Sequence, residues 1–210
     1  MMKKMTLIVA LFMGLISNAQ SPYEAKMKEA FGLWGQNQPV KASQLFERIT
    51  MVETQNWLPY YYAAQTLITS GFSVKDEAEL KTRLDKAQAF LDKAKEVSPK
   101  NAEILVAQAT WYIVWVAFDG ATYGAMYSGK VSNLYQKALK IAPNNPRVVL
   151  GKAEWDIGKA KFFGKDTSAY CKQIEKAIEL FDTFEKPTPF YPSYGKERAQ
   201  QVLSQCGKQK

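Results

Sequence analysis

The chain has 210 residues, a formal charge of +8 and no histidine. That absence removes Ser-His-Asp and Cys-His catalysis and imidazole metal sites together, and two cysteines cannot build a thiolate cage for zinc. The glycines are scattered singly, so no phosphate-cradling loop is present, and neither a metal nor another cofactor is expected.

Lys3 and Lys4 make a basic start, Met5 to Ile16 is an apolar run, and Ser17-Asn18-Ala19 places small residues where a signal peptidase reads. This pattern predicts a secretory signal peptide over 1–19, with a run too short for a spanning helix of about 20 residues. The first cysteine is Cys171, so no lipid anchor on a processed cysteine is expected, nor any transmembrane anchor. The expected product is exported, periplasmic or secreted, from a Gram-negative-type bacterium. Residues 20–210 suffice for one domain with its own core. Loss of Lys3 and Lys4 lowers the charge by two. Lys130, Lys137, Lys140, Arg147, Lys152, Lys159, Lys161 and Lys165 then face only Glu154 and Asp156 over the same stretch. Export argues against nucleic acid. A solvated surface, anionic lipid headgroups or an acidic partner fits such a run.

The stretch "YQKALKIAP" sets Tyr135, Ala138 and Ile141 on one helical stripe that ends at Pro143. "NNP" punctuates a turn, and "RVVLGKAEWDIGKAKF" resumes the helical period. Residues 90–113 repeat this register for register: Leu91 matches Tyr135, Ala94 matches Ala138, Pro99 matches Pro143, and Trp111 matches Trp155. "QLFERI" (44–49) and "QIEKAIEL" (173–180) are two further copies of the second helix.

On these residues the chain resembles tetratricopeptide (TPR) repeat proteins. The family places small residues where paired helices touch. Here Ala30, Ala64, Ala109 and Ala153 stand in first helices, and Ala42, Ala87, Ala94, Ala138 and Ala177 in second ones. Phe46, Leu91, Tyr112 and Tyr135 are the flanking fillers. The resemblance implies an all-α, right-handed stack of helix pairs, with repeats at about 22–54, 57–99, 101–143 and 146–185. Units two and three carry extra residues between their helices. In one, Ser73 to Asp76 reads as a capping box for a helix to about Val97. In the other, residues 119–130 read as a helix extension or a lid.

After Phe184 the chain turns proline-rich and then helical again. Ala199, Val202, Leu203 and Cys206 make the stripe of a capping helix at about 193–206. If that helix runs antiparallel to its predecessor, Cys171 and Cys206 meet and form a disulfide, the alternative being two buried thiols.

Ala102–Phe118 is apolar nearly all round and reads as a buried bundle centre. Tyr60, Tyr61 and Tyr62 point in three directions and cannot all be core. In TPR-like proteins the first helices line a concave groove. The resemblance carries that lining to Met27, Phe31, Trp34, Tyr61, Gln65, Val106, Thr110, Arg147, Leu150 and Glu154. The Lys and Asn of carboxylate-clamp TPRs are replaced by Met27 and Phe31. The implied function is a non-catalytic module binding another protein or peptide of the cell envelope. Two alternatives stand beside it: a small-ligand binder with the groove closed by the inter-helix extensions, and an enzyme using Asp119, Glu154 or Asp156.

Overall fold

The computed structural model describes residues 21–206, so the predicted signal peptide over 1–19 lies outside the described residues. Among the described residues nine α-helices alternate in direction: α1 (Pro22–Gly35), α2 (Pro39–Thr50), α3 (Trp57–Gly71), α4 (Glu77–Val97), α5 (Ala102–Phe118), α6 (Gly120–Ile141), α7 (Pro146–Phe162), α8 (Cys171–Thr183) and α9 (Lys196–Gln205). A short 3-10 turn at Ser168–Tyr170 leads into α8, and no strand occurs among the described residues.

Asparagine starts each of three successive first helices. Asn56, Asn101 and Asn145 accept from the backbone N–H two residues on, at 3.1, 2.9 and 2.9 Å. Such side chains satisfy amides that the helix leaves without a partner. The long second helices start on aspartate instead. Asp76 accepts from the Glu79 amide at 2.7 Å, and Asp119 from Ala121 and Thr122. The cap of α4 is therefore Asp76, not Ser73, whose hydroxyl turns back to the Ser70 carbonyl. Residues 120–130 form the opening turns of α6 and are a helix extension, not a lid.

The nine alanines predicted at helix contacts are all fully buried, and Phe46, Leu91 and Tyr135 fill the core beside them. Tyr112 is half-buried, beneath the Lys130 ammonium at 5.3 Å. Each pair packs on the next, α2 on α3, α3 and α4 on α5, and α5 and α6 on α7. The α5 helix departs from expectation. It is not buried all round: Leu105, Gln108 and Thr110 are partly exposed, and toward its end, where the extended α5–α6 hairpin reaches past its neighbours, Ile113, Val116, Ala117 and Phe118 are partly or wholly uncovered.

The α9 helix covers the last pair. Ala199 is buried against Ile174 and Ala177, and Val202 and Leu203 pack on the same cluster. A disulfide joins Cys171 to Cys206, closing a loop of 35 residues. Reduction, or Cys171→Ser with Cys206→Ser, is expected to lower stability by about 3 kcal/mol in the loop-entropy description. Thermal melts with and without reductant measure it; an unchanged midpoint would show that α9 docks without the bond.

Candidate functional site

The segment between α8 and α9, residues 184–195, is no solvated linker. It runs across the faces of α1, α3 and α7 as a strap, and its side chains meet the predicted groove lining. Phe190 packs on Phe31 with centroids 5.9 Å apart, Tyr191 on Trp57 at 5.8 Å, and Tyr194 on Trp34 at 6.4 Å. The Tyr62 hydroxyl donates to the Phe190 carbonyl at 2.7 Å. Phe190 adopts a left-handed backbone, φ 62°. That conformation costs a bulky residue roughly 1–2 kcal/mol and persists only where the surroundings over-determine it. Gly195 ends the strap at φ 126°, where a Cβ would stand 3.0 Å from the Phe181 ring.

Arg147 fastens the strap. It lies on the first turn of α7, brought inward by the Asn145 cap, and is nearly fully buried. Its Nε donates to Glu103 at 2.8 Å and its Nη1 to the Tyr194 carbonyl at 3.0 Å. Its Nη2 reaches the hydroxyls of Tyr61 and Tyr194, each at 3.0 Å. The guanidinium also lies 3.8 Å from the centre of the Tyr194 ring. Glu103, with no exposed surface, takes its second bond from Asn145 at 2.7 Å. Glu103 and Arg147 hold the same position in consecutive repeats, so one ion pair ties α5, α7, α3 and the strap.

Burial opposes the charge on Arg147, but Tyr194, Tyr61 and Glu103 around it hold its pKa above the ordinary value. Burial pushes the Tyr61 and Tyr62 phenols well up, against the pull of Arg147, and takes Tyr191 up to about 12.

Of the predicted lining, Phe31, Trp34, Tyr61 and Arg147 converge on the strap. Met27, Val106 and Leu150 are buried among core side chains and offer no lining surface, because the helices approach closely on alanine. Gln65 is buried as well, and its Oε1 has no hydrogen-bond partner among the described residues. The Thr110 hydroxyl turns back to the Val106 carbonyl at 2.9 Å. Arg198 of α9 binds Glu154 at 2.7 Å, which covers that end of the groove. The residues that sequence reasoning missed are Phe190, Tyr191 and Tyr194. Their signal was present: three aromatics among prolines are too apolar for a free linker and are the makings of a groove-binding peptide.

What stays open is a cleft of about 500 Å³ between α1 and the strap. Phe31, Phe190 and Tyr194 line it over Tyr62, with Lys28, Lys186 and Glu24 at its rim. Tyr194 is 43% exposed there. A second cleft of about 680 Å³ beside Tyr23, Leu45, Ile49 and Val52 contains none of the predicted groove residues. Tyr61 and Tyr123 do not share a cavity lining: Tyr123 packs on Trp115 and donates to Glu77 on the α5–α6 hairpin's neighbour, α4. The candidate carboxylates do not converge. Asp119 caps α6, Glu154 pairs with Arg198, and Asp156 pairs with Lys152 and Lys159.

No model of a known protein family matches the chain, and no curated protein matches it in sequence. Solved structures do. The HusA haemophore from Porphyromonas gingivalis matches with a TM-score of 0.79 at 20% identity, covering 92% of this chain and 96% of that one. A thermophilic TPR protein of Thermus thermophilus matches at 0.58 and 13% identity, covering 89% and 79%. The fold is TPR-like. At these identities the likeness speaks to architecture: an all-helical stack of TPR-type pairs with a capping helix.

Two outcomes test the Arg147 fastening. Arg147→Met leaves Glu103 buried and unpaired and is expected to cost roughly 3–5 kcal/mol, while Glu103→Met with Arg147→Met costs much less; urea unfolding measures both. The raised phenols set the alkaline limit. Unfolded tyrosines ionise near pH 10 and the folded ones later, so above pH 10 the unfolded state binds fewer protons and stability falls as pH rises, being fully present below. Phenolate absorbance during alkaline titration should show this as tyrosines that ionise only on unfolding.

Proposed function

We propose that the protein is an exported, non-catalytic binding module that carries a flat, largely apolar aromatic molecule with acidic edges, of the tetrapyrrole class. The observation that carries this reading is the strap. By filling the concave groove with the chain's own peptide, it converts a long peptide track into a short aromatic cleft with two lysines at its mouth. A cleft of about 500 Å³ falls within the usual range for small-molecule sites. Phe31, Phe190 and Tyr194 offer ring faces to a planar ligand, and Lys28 and Lys186 stand where its carboxylates would emerge. Similarity in fold to a haemophore supports the choice of ligand class.

A second reading keeps the module and changes its cargo to another protein or peptide of the cell envelope. Its support is that this groove does hold an extended, aromatic-anchored peptide, namely residues 184–195, and the same contacts would suit a partner segment.

Titration with ferric protoporphyrin separates the two. The small-ligand reading expects a saturable, one-to-one change in the porphyrin absorbance, weakened about tenfold by Lys28→Glu with Lys186→Glu, a roughly 1.4 kcal/mol change. Both lysines are exposed, so the fold survives the exchange. Absence of saturation, together with an envelope protein crosslinked to the chain and lost on Trp34→Ala, would transfer the function to the second reading.

A further inference from the structure

At the C-terminal end of α7 the chain presents two phenylalanines that no core requires. Phe162 is 76% exposed and Phe163 66%, and their rings pack edge to face on each other at 5.1 Å. Their display is fixed by the backbone. The Gly164 amide donates to the Lys161 carbonyl at 3.1 Å and the Lys165 amide to Ala160 at 2.8 Å, with Gly164 at φ 62°. These are the paired bonds of a Schellman helix end. That motif commonly folds an apolar residue back onto the last turn, but here the returning residue is Lys165, so the apolar pair faces outward. Nothing lies within 4 Å of where a Cβ would sit on Gly158 or Gly164, so the corner stands clear of its neighbours.

Around the pair basic groups outnumber acidic ones. Lys161, Lys165 and Lys172 are exposed and make no ion pair among the described residues, and Lys165 lies 6.0 Å from the Phe163 ring. Lys159 is held by Asp156 at 3.1 Å. The nearby acid, Asp166, is exposed and accepts from the Ser168 amide and hydroxyl. The small cleft of about 180 Å³ beside this corner takes in Gly158 and Lys161 but neither phenylalanine, so the rings project as a tip with an excess of lysines about them. Such a tip suits a partner that is apolar beneath and anionic above, whatever its detailed shape. A bilayer interface has that structure: the acyl boundary takes the rings, and anionic headgroups take the ammonium groups on their flexible stems.

We propose that this corner is a membrane-contact tip that inserts Phe162 and Phe163 into the interface of an anionic bilayer. It attaches the protein reversibly. Among the described residues no helix is long and apolar enough to cross a membrane. The tip is independent of the ligand cleft, so either can fail alone.

The test is co-sedimentation of the processed protein with protein-free vesicles of phosphatidylglycerol and phosphatidylethanolamine, against vesicles of phosphatidylcholine alone. Binding to the anionic vesicles is expected, weakened by salt and lowered about tenfold or more by Phe162→Ser with Phe163→Ser. Lys161→Glu with Lys165→Glu should abolish the preference for anionic lipid while leaving the rings in place. All four side chains are exposed, and an intact disulfide and unchanged helical circular dichroism check the fold. Equal partitioning of the parent and the phenylalanine variant overturns the proposal. So does a protein that ignores vesicles but binds protease-sensitive envelope fragments, which would assign the tip to a protein partner.

Discussion

A guanidinium taken out of water must have its charge balanced and its donors met, and Arg147 meets that requirement with groups from three places in the chain. Glu103 of α5 balances it, Tyr61 of α3 accepts from it, and the strap supplies both a carbonyl and a phenol. Partners so distant in sequence can meet only when the stack is complete. The pair is therefore better viewed as a device that fixes one arrangement than as a source of net stability, since buried ion pairs seldom outperform apolar replacements.

That arrangement decides what the concave face can do. Helical repeats expose a groove because each pair turns slightly on the last, and such a groove ordinarily awaits an extended chain. Here the chain answers its own groove. The strap arrives through prolines, places Phe190 in a strained left-handed turn between aromatic neighbours, and leaves through a glycine where any side chain would be strained. The disulfide at Cys171 and Cys206 holds α9 against α8 and so keeps the strap's exit in place. Recognition is then concentrated where the strap and α1 leave ring faces uncovered.

The two ends of the last helix pairs carry different chemistry for the same reason. At the groove end of α7, Arg147 is drawn inward by the Asn145 cap and neutralised. At the other end, α7 stops in a glycine turn that throws its last apolar residues outward among unpaired lysines. The basic run visible in the sequence is thus not one patch. Arg147 is core, Lys152 and Lys159 are tied to Asp156, and only the remainder acts on the surroundings.

Local physics made much of this legible in advance. Alanine at every helix contact, a three- and four-residue apolar stripe, and Asn-Pro turns are statements about neighbours in sequence and in the adjacent helix, so helices, repeat type and capping helix could be read from the chain. The meeting of Cys171 and Cys206 followed from hairpin antiparallelism. Phe31, Trp34, Tyr61 and Arg147 could be placed on one face of the first helices because their register in the repeat is local too. What covers them could not. The strap's position depends on the curvature summed over four pairs, and the burial of Arg147 depends on a glutamate one repeat away and a tyrosine beyond the last pair. Periodicity also overstated the burial of α5, because an apolar helix end is covered only if its neighbours are as long. The units and their order follow from residues that are neighbours in the chain. Which surface of the assembled stack stays open does not, because that surface is what is left after segments far apart in the chain have packed.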